Sequence, residues 1–399
     1  MSKYKILHNV SFVGKSSYGL GQISVNLAKA QYLLGNDTNI WCLEGKNDIE
    51  WASAIHNFPQ ERIKGFNLFG PQKLYFSPQL IRHTNNLDPS EFEIVHQHGI
   101  WTGSSSATRI FSKTKQIPTI IAPHGSLSEW SLNVSSWKKK LALSAFEREN
   151  LNLASCLHAT SENEISDFRN FGLKNPIAYI ENGIQEEKLS IVGNAQKFRQ
   201  KHNIDPEKRI LLYMSRITPK KGLLMLIEAI KDIESDFKDW ILVIVGNDEF
   251  NHKKDVENLI KQCKLENYIK FVSPLFDKDK DDVFAASELF ILPSYSEGFP
   301  MVVLDSLAAG LPVITTNASS WNDLVEFNCG WWTDINTQSI TDALRKSVRM
   351  STVELNIMGQ NAKELIRTKY TWSRLAQKTI KLYDWLLNKD NKPDFVHID

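Results

Sequence analysis

Short apolar runs rich in β-branched residues alternate with stretches of helical spacing along the whole chain. Such runs are typical of buried strands, and their alternation with helices is typical of parallel sheets joined by crossover helices. In the first half of the chain the pattern predicts strands at Tyr4–Leu7, Asn39–Leu43, Ile94–His96, Thr119–Ala122, Cys156–Ala159 and Ile177–Ile180.

The segment between the first two predicted strands has the spacing of an amphipathic helix. Ile23, Leu27 and Ala30 recur every three or four residues, and Gly35 follows as a helix stop. The sequence therefore predicts a helix over Gly21–Leu34.

The second half of the chain restarts the same pattern. It predicts strands at Ile210–Met214, Ile241–Val245, Tyr268–Val272, Leu289–Leu292 and Val313–Thr315. A last helix is predicted over Trp372–Leu387, where an apolar stripe must pack on another surface. The fold class predicted is therefore α/β, with two doubly wound sheets.

The length of 399 residues suits two domains, each with its own core. The polar stretch Gln185–Arg209 separates the two halves and is predicted to link them. We expect an N-terminal domain over residues 1–188 and a C-terminal domain over residues 189–399. The last helix, about residues 372–388, is left open to pack on the N-terminal domain.

Charge and composition exclude some classes of partner. The chain has 47 basic and 46 acidic residues, so no global field attracts nucleic acid, and an anionic ligand needs a local site. The hydrophobic fraction of 42% and the charged fraction of 23% are typical of a soluble globular enzyme. We therefore expect no nucleic-acid partner.

The cysteines and the apolar runs bear on the compartment. Cys42, Cys156, Cys263 and Cys329 form neither CxxC pairs nor a dense framework, which favours reduced thiols in a cytoplasmic protein. The longest strongly apolar run, Trp240–Gly246, is too short to span a bilayer. Any membrane contact is expected to be peripheral, on the inner face.

Two carboxylates lie near a predicted helix start in the second half. The strand Leu289–Leu292 is followed by a loop up to Phe299 and a helix over Pro300–Ala309. Such a loop lies at the carboxyl edge of the sheet, where free helix amides suit phosphate. Glu297 and Asp305 offer only acceptors, which suits sugar hydroxyls. Spacing alone is also consistent with a loop charge and a solvent-facing helix residue.

A second segment places cations at the same expected edge. Met214–Gly222 follows a strand and precedes a helix, which puts Arg216 and either Lys220 or Lys221 near Glu297. Two fixed cations and a helix end can neutralise a diphosphate without a metal ion, so no metal and no cofactor are predicted. Taken in isolation, the same residues are typical of exposed surface charges.

Together these segments resemble the family 4 retaining glycosyltransferases. The matching motifs are Ser-Arg-Ile-x-Pro-x-Lys-Gly and Pro-Ser-x-x-Glu-Gly-Phe-Pro-x-x-x-Leu-Asp-x-x-Ala-x-Gly-x-Pro-Val-Ile. Further matches run nearly end to end, at Gly19-Leu-Gly21, Pro123-His-Gly125, Glu181-Asn-Gly-Ile184 and Tyr370-Thr-Trp372. The resemblance implies the GT-B architecture, in which two facing Rossmann-like domains enclose a cleft and a helix ends the chain.

The resemblance also implies roles for residues of the C-terminal domain. In that family an acid at the Glu297 position contacts the donor sugar, and the acid eight residues later binds the ribose diol. Here the second acid is Asp305, whose side chain is one methylene shorter than the more usual Glu. Arg216 and Lys221 are assigned to the pyrophosphate. The resemblance assigns phosphate or sugar oxygens to the backbone of Gly298, Phe299, Pro300 and Met301. It assigns the nucleobase to the loop at Val272 and Ser273.

In the N-terminal domain the resemblance assigns Gly19 and Gly21 to the donor phosphate and the acceptor, since glycine lets backbone approach a ligand closely. His124 follows a predicted strand and is expected to project into the cleft opposite Glu297. The matching histidine of the family contacts the reacting sugar.

The implied reaction moves a sugar from a nucleotide-diphosphate sugar to a hydroxyl of a saccharide, with retention at the anomeric carbon. The sequence around Pro123-His-Gly125 is similar to that of transferases that build bacterial capsule, lipopolysaccharide and exopolysaccharide. This similarity favours a lipid-linked acceptor. Two alternatives stay open: a sugar-nucleotide epimerase or hydrolase on the same fold, and a non-catalytic sugar-nucleotide-binding protein.

Three other polar segments could be functional sites or ordinary structural segments. Asp277–Asp282 is expected to be a solvated loop that caps a helix over Asp282–Ser287, rather than a metal loop. His96 and His98 are expected to line the cleft, because zinc would need a third ligand. Trp137–Lys140 is either a membrane-contact segment or an ordinary helix with a basic first turn.

Overall fold

The computed structural model describes residues 4–70, 75–133 and 136–398, without the side chains of Ser16, Tyr18, Ser136 and Lys138. The chain divides into two compact units. Unit 1 comprises Met1–Gly183 and Trp372–Asp399, and unit 2 comprises Ile184–Thr371.

The strands are numbered along the chain. They are β1 (Lys5–Val10), β2 (Asp37–Cys42), β3 (Ile63–Gly65), β4 (Ile94–His98), β5 (Thr119–Ala122), β6 (Cys156–Ala159), β7 (Ile177–Tyr179), β8 (Arg209–Met214), β9 (Trp240–Val245), β10 (Ile269–Val272), β11 (Leu289–Leu292), β12 (Val313–Thr316), β13 (Gly330–Thr333) and β14 (Val396–His397).

The α-helices are numbered in the same way. They are α1 (Tyr18–Leu33), α2 (Lys46–His56), α3 (Pro78–Asn86), α4 (Gly103–Lys113), α5 (Glu129–Asn133), α6 (Ser136–Ala142), α7 (Arg148–Leu153), α8 (Glu162–Asn170), α9 (Ala195–Lys201), α10 (Leu223–Asp232), α11 (His252–Cys263), α12 (Asp277–Ala286), α13 (Met301–Ala309), α14 (Asp323–Glu326), α15 (Thr337–Val348), α16 (Thr352–Lys369) and α17 (Trp372–Leu386). A π-helical turn, Leu143–Glu147, joins α6 to α7.

Each unit contains one sheet, as the α/β prediction requires. The sheet of unit 1 has the order β14-β7-β6-β5-β4-β1-β2-β3, and that of unit 2 has the order β10-β9-β8-β11-β12-β13. All pairs are parallel except β14 with β7, which are antiparallel. Strands such as β6 and β11 are buried along their whole length, as expected when helices cover both faces of a parallel sheet.

The strand order reverses once in each sheet. In unit 1, β1 lies between β2 and β4, and in unit 2, β8 lies between β9 and β11. Open α/β sheets bind ligands in the crevice at the carboxyl ends of the strands where the order reverses. Ligand-binding sites are therefore expected in the segments after β1 and β4 and in those after β8 and β11.

The last helix belongs to unit 1. Its apolar stripe is buried at Leu375, Leu382 and Tyr383, and the hydroxyl of Tyr4 at the start of β1 bonds to Asp384. The stripe could be read from the sequence, but its partner surface could not.

The polar stretch predicted to link the domains is an integral part of unit 2, so that prediction was wrong. Glu186–Ser190 forms a 3-10 turn and is followed by α9. Phe198 and Ile204 are buried in the core of the unit. Two buried apolar residues in a charged stretch are enough to attach it, because the charged side chains can remain exposed.

The acidic segment at Asp277 is also different from the expectation of a loop. It forms the first turns of α12, which begins at Asp277 rather than at Asp282. Carboxylates in a first turn are favoured by the helix dipole. Asp279 bonds to Lys201 and Asp282 to Lys197, so these acids bind lysines of α9.

Two further features of the described residues bear on earlier predictions. All four cysteines are free, and Cys263 is half-buried while the other three are buried. In the described part of the chain, no helix combines the length and the apolar character that crossing a bilayer requires.

Candidate active site

A buried acid–lysine pair bridges the segments that follow β8 and β11. Lys221 Nζ lies 2.5 Å from Glu297 Oε1, and the two side chains are 10% and 9% exposed. The hydroxyl of Ser294 donates to the same oxygen at 2.5 Å. Both donors take Oε1, so within the described part of the chain Oε2 has no partner. A carboxylate oxygen held in this way can accept a ligand hydroxyl.

The local backbone brings the two segments into contact. Pro219–Lys221 forms a 3-10 turn whose first amide, on Lys220, bonds to the Thr218 hydroxyl. Gly222 follows with a φ of 71°, and a Cβ there would lie 1.9 Å from the carbonyl oxygen of Pro293. Only glycine fits both the left-handed conformation and this approach, so Gly222 fixes the position of Lys221.

The start of α13 presents free amides beside this pair. Pro300 precedes the first helical residue, and Gly310 with a φ of 84° ends the helix as predicted. Across the described residues, the amides of Gly298 and Phe299 find no acceptor. The helix dipole adds positive potential at the same end. The backbone here therefore suits a phosphate oxygen.

Some of the residues predicted to bind phosphate or sugar oxygens at the start of α13 are restricted in how they can do so. Pro300 is buried and has no amide hydrogen to donate. The ring of Phe299 packs against Trp321 and Tyr370, at centroid distances of 5.1 and 5.9 Å. Phe299 is therefore limited to its backbone amide, and Met301 is half-buried at the first turn.

Arg216 lies in the segment after β8, but it is paired elsewhere. Its Nη1 donates to both oxygens of Glu249, at 3.2 and 3.1 Å, and its side chain is 54% exposed. The hydroxyl of Tyr213 donates to the carbonyl of Arg216 at 3.1 Å. Burial and the nearby Glu297 carboxylate raise the pKa of Tyr213, which keeps that donor protonated.

Asp305 and the predicted nucleobase loop are only partly available. Lys280 of α12 bonds to Asp305 Oδ2 at 2.5 Å, and the two line a cavity of about 210 Å³. A ribose diol would have to displace Lys280 to reach this carboxylate. Val272 is 6% exposed and belongs to the core, so of the two predicted loop residues only Ser273 is exposed.

His124 follows β5 in unit 1, in the left-handed conformation, with a φ of 51°. Gly125 is left-handed as well, and its amide donates to Glu164. Glu164 is buried and also accepts from the amide and hydroxyl of Thr160, at 2.7 and 2.6 Å. Burial raises the pKa of Glu164. One buried carboxyl thus fixes an unusual backbone turn at His124.

His96 and His98 do not line a cleft, contrary to the prediction. Both are buried within unit 1, because β4 lies between β1 and β5 and helices cover its faces. His8 of β1 joins them, and one nitrogen of each of the three rings lies within 4.8 Å of the others. The third imidazole that the sequence did not reveal comes from a strand far away along the chain.

The predicted glycines differ in their surroundings. The first helix begins at Tyr18, so Gly19 and Gly21 lie inside it rather than before it. A Cβ at Gly21 would lie 2.1 Å from the Ser17 hydroxyl and 2.8 Å from the Phe12 carbonyl. The close approach at Gly21 is therefore made by the protein's own Ser17 side chain and Phe12 backbone, whereas a Cβ at Gly19 would meet nothing within 4 Å.

Sequence reasoning missed several residues that hold the site. Ser294 was present in the motif but had no role, and Glu249 follows the end of β9, where strand-end polar residues are a usable signal. Lys280 and Glu164 lie on helices, and nothing in their spacing indicated a contact with Asp305 or with the backbone at His124.

The two sheets, each with one reversal of the strand order, define the GT-B class of fold. The Anabaena protein HepE, solved with UDP and glucose, aligns over 95% of this chain and 99% of its own with a TM-score of 0.72 and 19% identity. WaaG, described as a glycosyltransferase of lipopolysaccharide biosynthesis, aligns over 96% and 99% with a TM-score of 0.62 and 17% identity.

Sequence families point to the same class. The model "Glycosyltransferase Family 4" matches residues 18–188, and the model "Glycosyl transferases group 1" matches residues 194–365. The chain belongs to the glycosyltransferases that combine these two domains. It is 27% identical, over 76% of its length and 78% of the relative's, to the Escherichia coli UDP-Gal:alpha-D-GlcNAc-diphosphoundecaprenol alpha-1,3-galactosyltransferase.

Proposed function

We propose that this chain transfers a sugar from a nucleotide-diphosphate sugar to a hydroxyl of a lipid-linked saccharide, with retention, in cell-surface polysaccharide synthesis. The observation that carries the proposal is the buried pair of Lys221 and Glu297 beside the free amides at the start of α13. The pair offers a cation for a phosphate and an unpaired carboxylate oxygen for a sugar hydroxyl.

The donor would be bound by unit 2. Lys221 and the amides of Gly298 and Phe299 would hold the diphosphate, and Glu297 Oε2 would accept from the sugar. Arg216 would join them by exchanging Glu249 for a phosphate. An ion pair this exposed contributes about 0–1 kcal/mol, so a doubly charged phosphate can compete for the guanidinium.

The sugar–oxygen bond to the diphosphate would break as the acceptor oxygen attacks the same face of the sugar. The departing diphosphate takes the acceptor proton, and Arg216, Lys221 and the helix end stabilise its developing charge. A covalent route would need a carboxylate nucleophile on the opposite face, and we assign none. Fixed cations take the role of a metal ion, so the transfer is proposed to be metal-independent. His124 is proposed to contact the reacting sugar from unit 1.

The relatives indicate which substrates to test first. The E. coli relative is named for UDP-galactose and a diphosphoundecaprenol-linked acceptor, and HepE was solved with UDP and glucose. UDP-sugars and undecaprenyl-diphosphate saccharides are therefore the first donor and acceptor classes. We propose that the protein acts in the cytoplasm, at the inner face of the membrane.

The test is a transfer assay with a panel of UDP-sugars and a lipid-linked saccharide, in the presence of EDTA. We expect acceptor-dependent release of UDP, an unchanged anomeric configuration in the product and no loss of rate with the chelator. Hydrolysis or epimerisation without acceptor would favour the rival enzyme classes. Thermal stabilisation by UDP without turnover would favour a binding protein.

A matched pair of variants tests the anion site within the same assay. Arg216→Gln should weaken UDP-dependent stabilisation, which for the wild type at a concentration of 100 Kd is about 2.7 kcal/mol. Arg349→Gln is the control, because Arg349 is also exposed and also makes two bonds to one carboxylate, that of Asp236. Equal effects of the two substitutions would contradict the role of Arg216.

Peripheral membrane contact is proposed for α5 and α6 of unit 1. Trp130, Trp137 and Leu141 are 44%, 67% and 66% exposed there, and Lys140 is exposed beside them. Exposed aromatic and apolar side chains next to lysines favour an anionic bilayer surface. Leu141→Ser should reduce co-sedimentation with phosphatidylglycerol vesicles several-fold. Leu33→Ser, which removes a leucine 71% exposed on α1, should not.

A further inference from the structure

Five histidines gather in unit 1 along four adjacent strands. His8 is on β1, His96 and His98 on β4, His124 two residues after β5, and His158 on β6. All except the half-buried His124 are at most 3% exposed. The rings of His96 and His98 stack at 4.6 Å, and those of His8 and His98 at 5.2 Å. So many imidazoles in one core need a defined set of proton positions, because each neutral ring has one donor and one acceptor.

One end of the cluster is fixed by a backbone carbonyl. Nε2 of His158 lies 2.7 Å from the Ile180 carbonyl oxygen, which can only accept, so His158 carries its proton on Nε2. Its Nδ1 must then accept, and it does so from His96 Nε2 at 3.1 Å. His96 Nδ1 in turn accepts from the Tyr383 hydroxyl of α17 at 2.8 Å. Burial raises the pKa of Tyr383, so its proton stays on the hydroxyl.

The same logic continues outward to His124. Because the Tyr383 hydroxyl donates its hydrogen bond to His96, its oxygen is free to accept one from Gln31 Nε2 at 3.2 Å. Gln31 Oε1 then accepts from His8 Nε2 at 2.8 Å, and His8 Nδ1 accepts from His98 Nε2 at 2.9 Å. His98 Nδ1 is left to accept from His124 Nε2 at 3.2 Å. Every hydrogen bond of this histidine relay, from His124 to Ile180, points in one direction.

The relay requires neutral rings, and their environment keeps them neutral. Burial lowers the pKa of His8 and of His158 to about 4 and that of His124 to about 3. Burial and the neighbouring imidazoles lower the pKa of His96 and His98 further. Near pH 7 none of the five carries a charge, so each tautomer is determined by its hydrogen-bond partners.

We propose that the histidine relay holds His124 as the Nε2–H tautomer, so that its Nδ1 accepts a hydrogen bond from a hydroxyl of a sugar substrate. Among the described residues, the hydrogen bond of the His124 ring is made by its Nε2, and none bonds to its Nδ1. The inference rests on the proposed function for the identity of the hydroxyl, but not for the tautomer. Gln31 and Tyr383 are then positioning residues, which act on His124 through the intervening rings.

A metal ion is the alternative use of the same rings. His8, His96 and His98 could each offer one nitrogen. However, both nitrogens of all three rings already take part in the relay, so an ion would break it. The complete set of bonds favours the relay, and bound zinc becomes an outcome of the test.

The test begins with the wild-type protein labelled with ¹⁵N-histidine. Imidazole nitrogen shifts near pH 7.5 should show His124 protonated on Nε2, with the signal assigned by its loss in His124→Gln. Zinc added at one equivalent should leave the signals of His8, His96 and His98 unchanged. A His124 protonated on Nδ1, or zinc-shifted signals, would overturn the inference, and neither measurement depends on activity.

The variant Tyr383→Phe then removes one hydroxyl from the middle of the relay. Without that hydroxyl the side-chain amide of Gln31 can rotate by half a turn and donate to His8. The hydrogen bonds from His8 through His98 to His124 would then reverse their direction. We expect a mixed tautomer at His124 and a loss of transfer rate of at least threefold. Tyr4→Phe is the control, since it removes another buried hydroxyl bonded to the same helix, at Asp384. An unchanged His124 spectrum in Tyr383→Phe would contradict the relay, whereas absent wild-type transfer would contradict only the proposed function.

Discussion

The substitution Glu297→Gln is expected to lower the rate of sugar transfer at least tenfold while the protein stays folded. The amide can still accept from Lys221 and Ser294 through one oxygen, as Oε1 does now. It cannot offer a second, charged oxygen to the sugar. Hydrogen bonds to charged groups contribute about 1.5–3 kcal/mol, which corresponds to about 10- to 100-fold in rate.

Glutamine is the informative replacement because the acid is buried with its lysine. Glu297→Ala would leave Lys221 enclosed without any partner, at a cost of about 3–5 kcal/mol, whereas the glutamine oxygen loses the charge but keeps a hydrogen bond to Lys221. A loss of activity in the alanine variant would therefore mix chemistry with unfolding. The structure thus changes which variant tests the role of the acid.

Glu288→Gln is the matched control for this prediction. Glu288 precedes β11 and binds Arg209, the first residue of β8, at 2.7 Å, so it pairs the same two strands at their amino ends. Its loss should affect the melting temperature but not the rate. Wild-type turnover in Glu297→Gln, or an equal loss in Glu288→Gln, would argue against a direct contact with the sugar. Both variants are compared by initial rate and by thermal unfolding.

Acidification from pH 6.5 to pH 4 is expected to destabilise unit 1 strongly. In that range the unfolded chain protonates its histidines, whose ordinary pKa is 6.5, while folded His8 and His158, with pKa values of about 4, stay neutral. The unfolded state binds more protons, so the free energy of unfolding falls as the pH falls. The slope is up to about 1.36 kcal/mol per pH unit for each such histidine.

Other titratable groups of unit 1 modify the size of this effect. Lys378 lowers the pKa of His158 further by repulsion. The buried carboxyls Glu147 and Glu164 act in the opposite sense, because burial raises their pKa and the folded state then keeps their protons longer. Burial raises the pKa of Glu44 as well, but these three carboxyls oppose five histidines, so the net loss of stability on acidification should persist.

Hydrogen exchange resolved by peptide can locate the effect, since two units need not unfold together. Between pH 6.5 and pH 4.5, after correction for intrinsic exchange, peptides of β4 and β6 should lose protection before those of β8 and β11. The variant His158→Gln, whose amide can still donate to Ile180, should show a weaker pH dependence. Equal loss in both units would indicate a general acid effect rather than the cluster.

Most strands could be predicted because parallel strands covered on both faces carry uninterrupted apolar runs. β5, β6 and β11 have the predicted bounds, since burial on both faces selects apolar residues along them, with His158 of β6 as an exception. β3, β13 and β14 were missed: Ile63–Gly65 and Val396–His397 are only three and two residues long, and Gly330–Thr333 contains two tryptophans and no β-branched run. Short edge strands are specified by their neighbours rather than by their own pattern.

The candidate site was predictable only where a strand end is followed by a motif. Lys221 and Glu297 follow β8 and β11, and the strand order brings them together. Of the competing partners of Arg216 and Asp305, Glu249 offered only its place after the end of β9, and Lys280 could not be predicted. Each comes from another element, and side-chain pairing across elements leaves no periodic trace in the sequence.

The placement of α17 and β14 has a consequence for how the chain is made. Residues 184–371 form one contiguous unit, whereas unit 1 lacks Tyr383 and its edge strand Val396–His397 until residues 372–398 have been synthesised. On the ribosome, unit 1 can therefore be completed only after unit 2, which is encoded between its two pieces, has been synthesised. Until then the buried imidazoles near Tyr383 stay open to water.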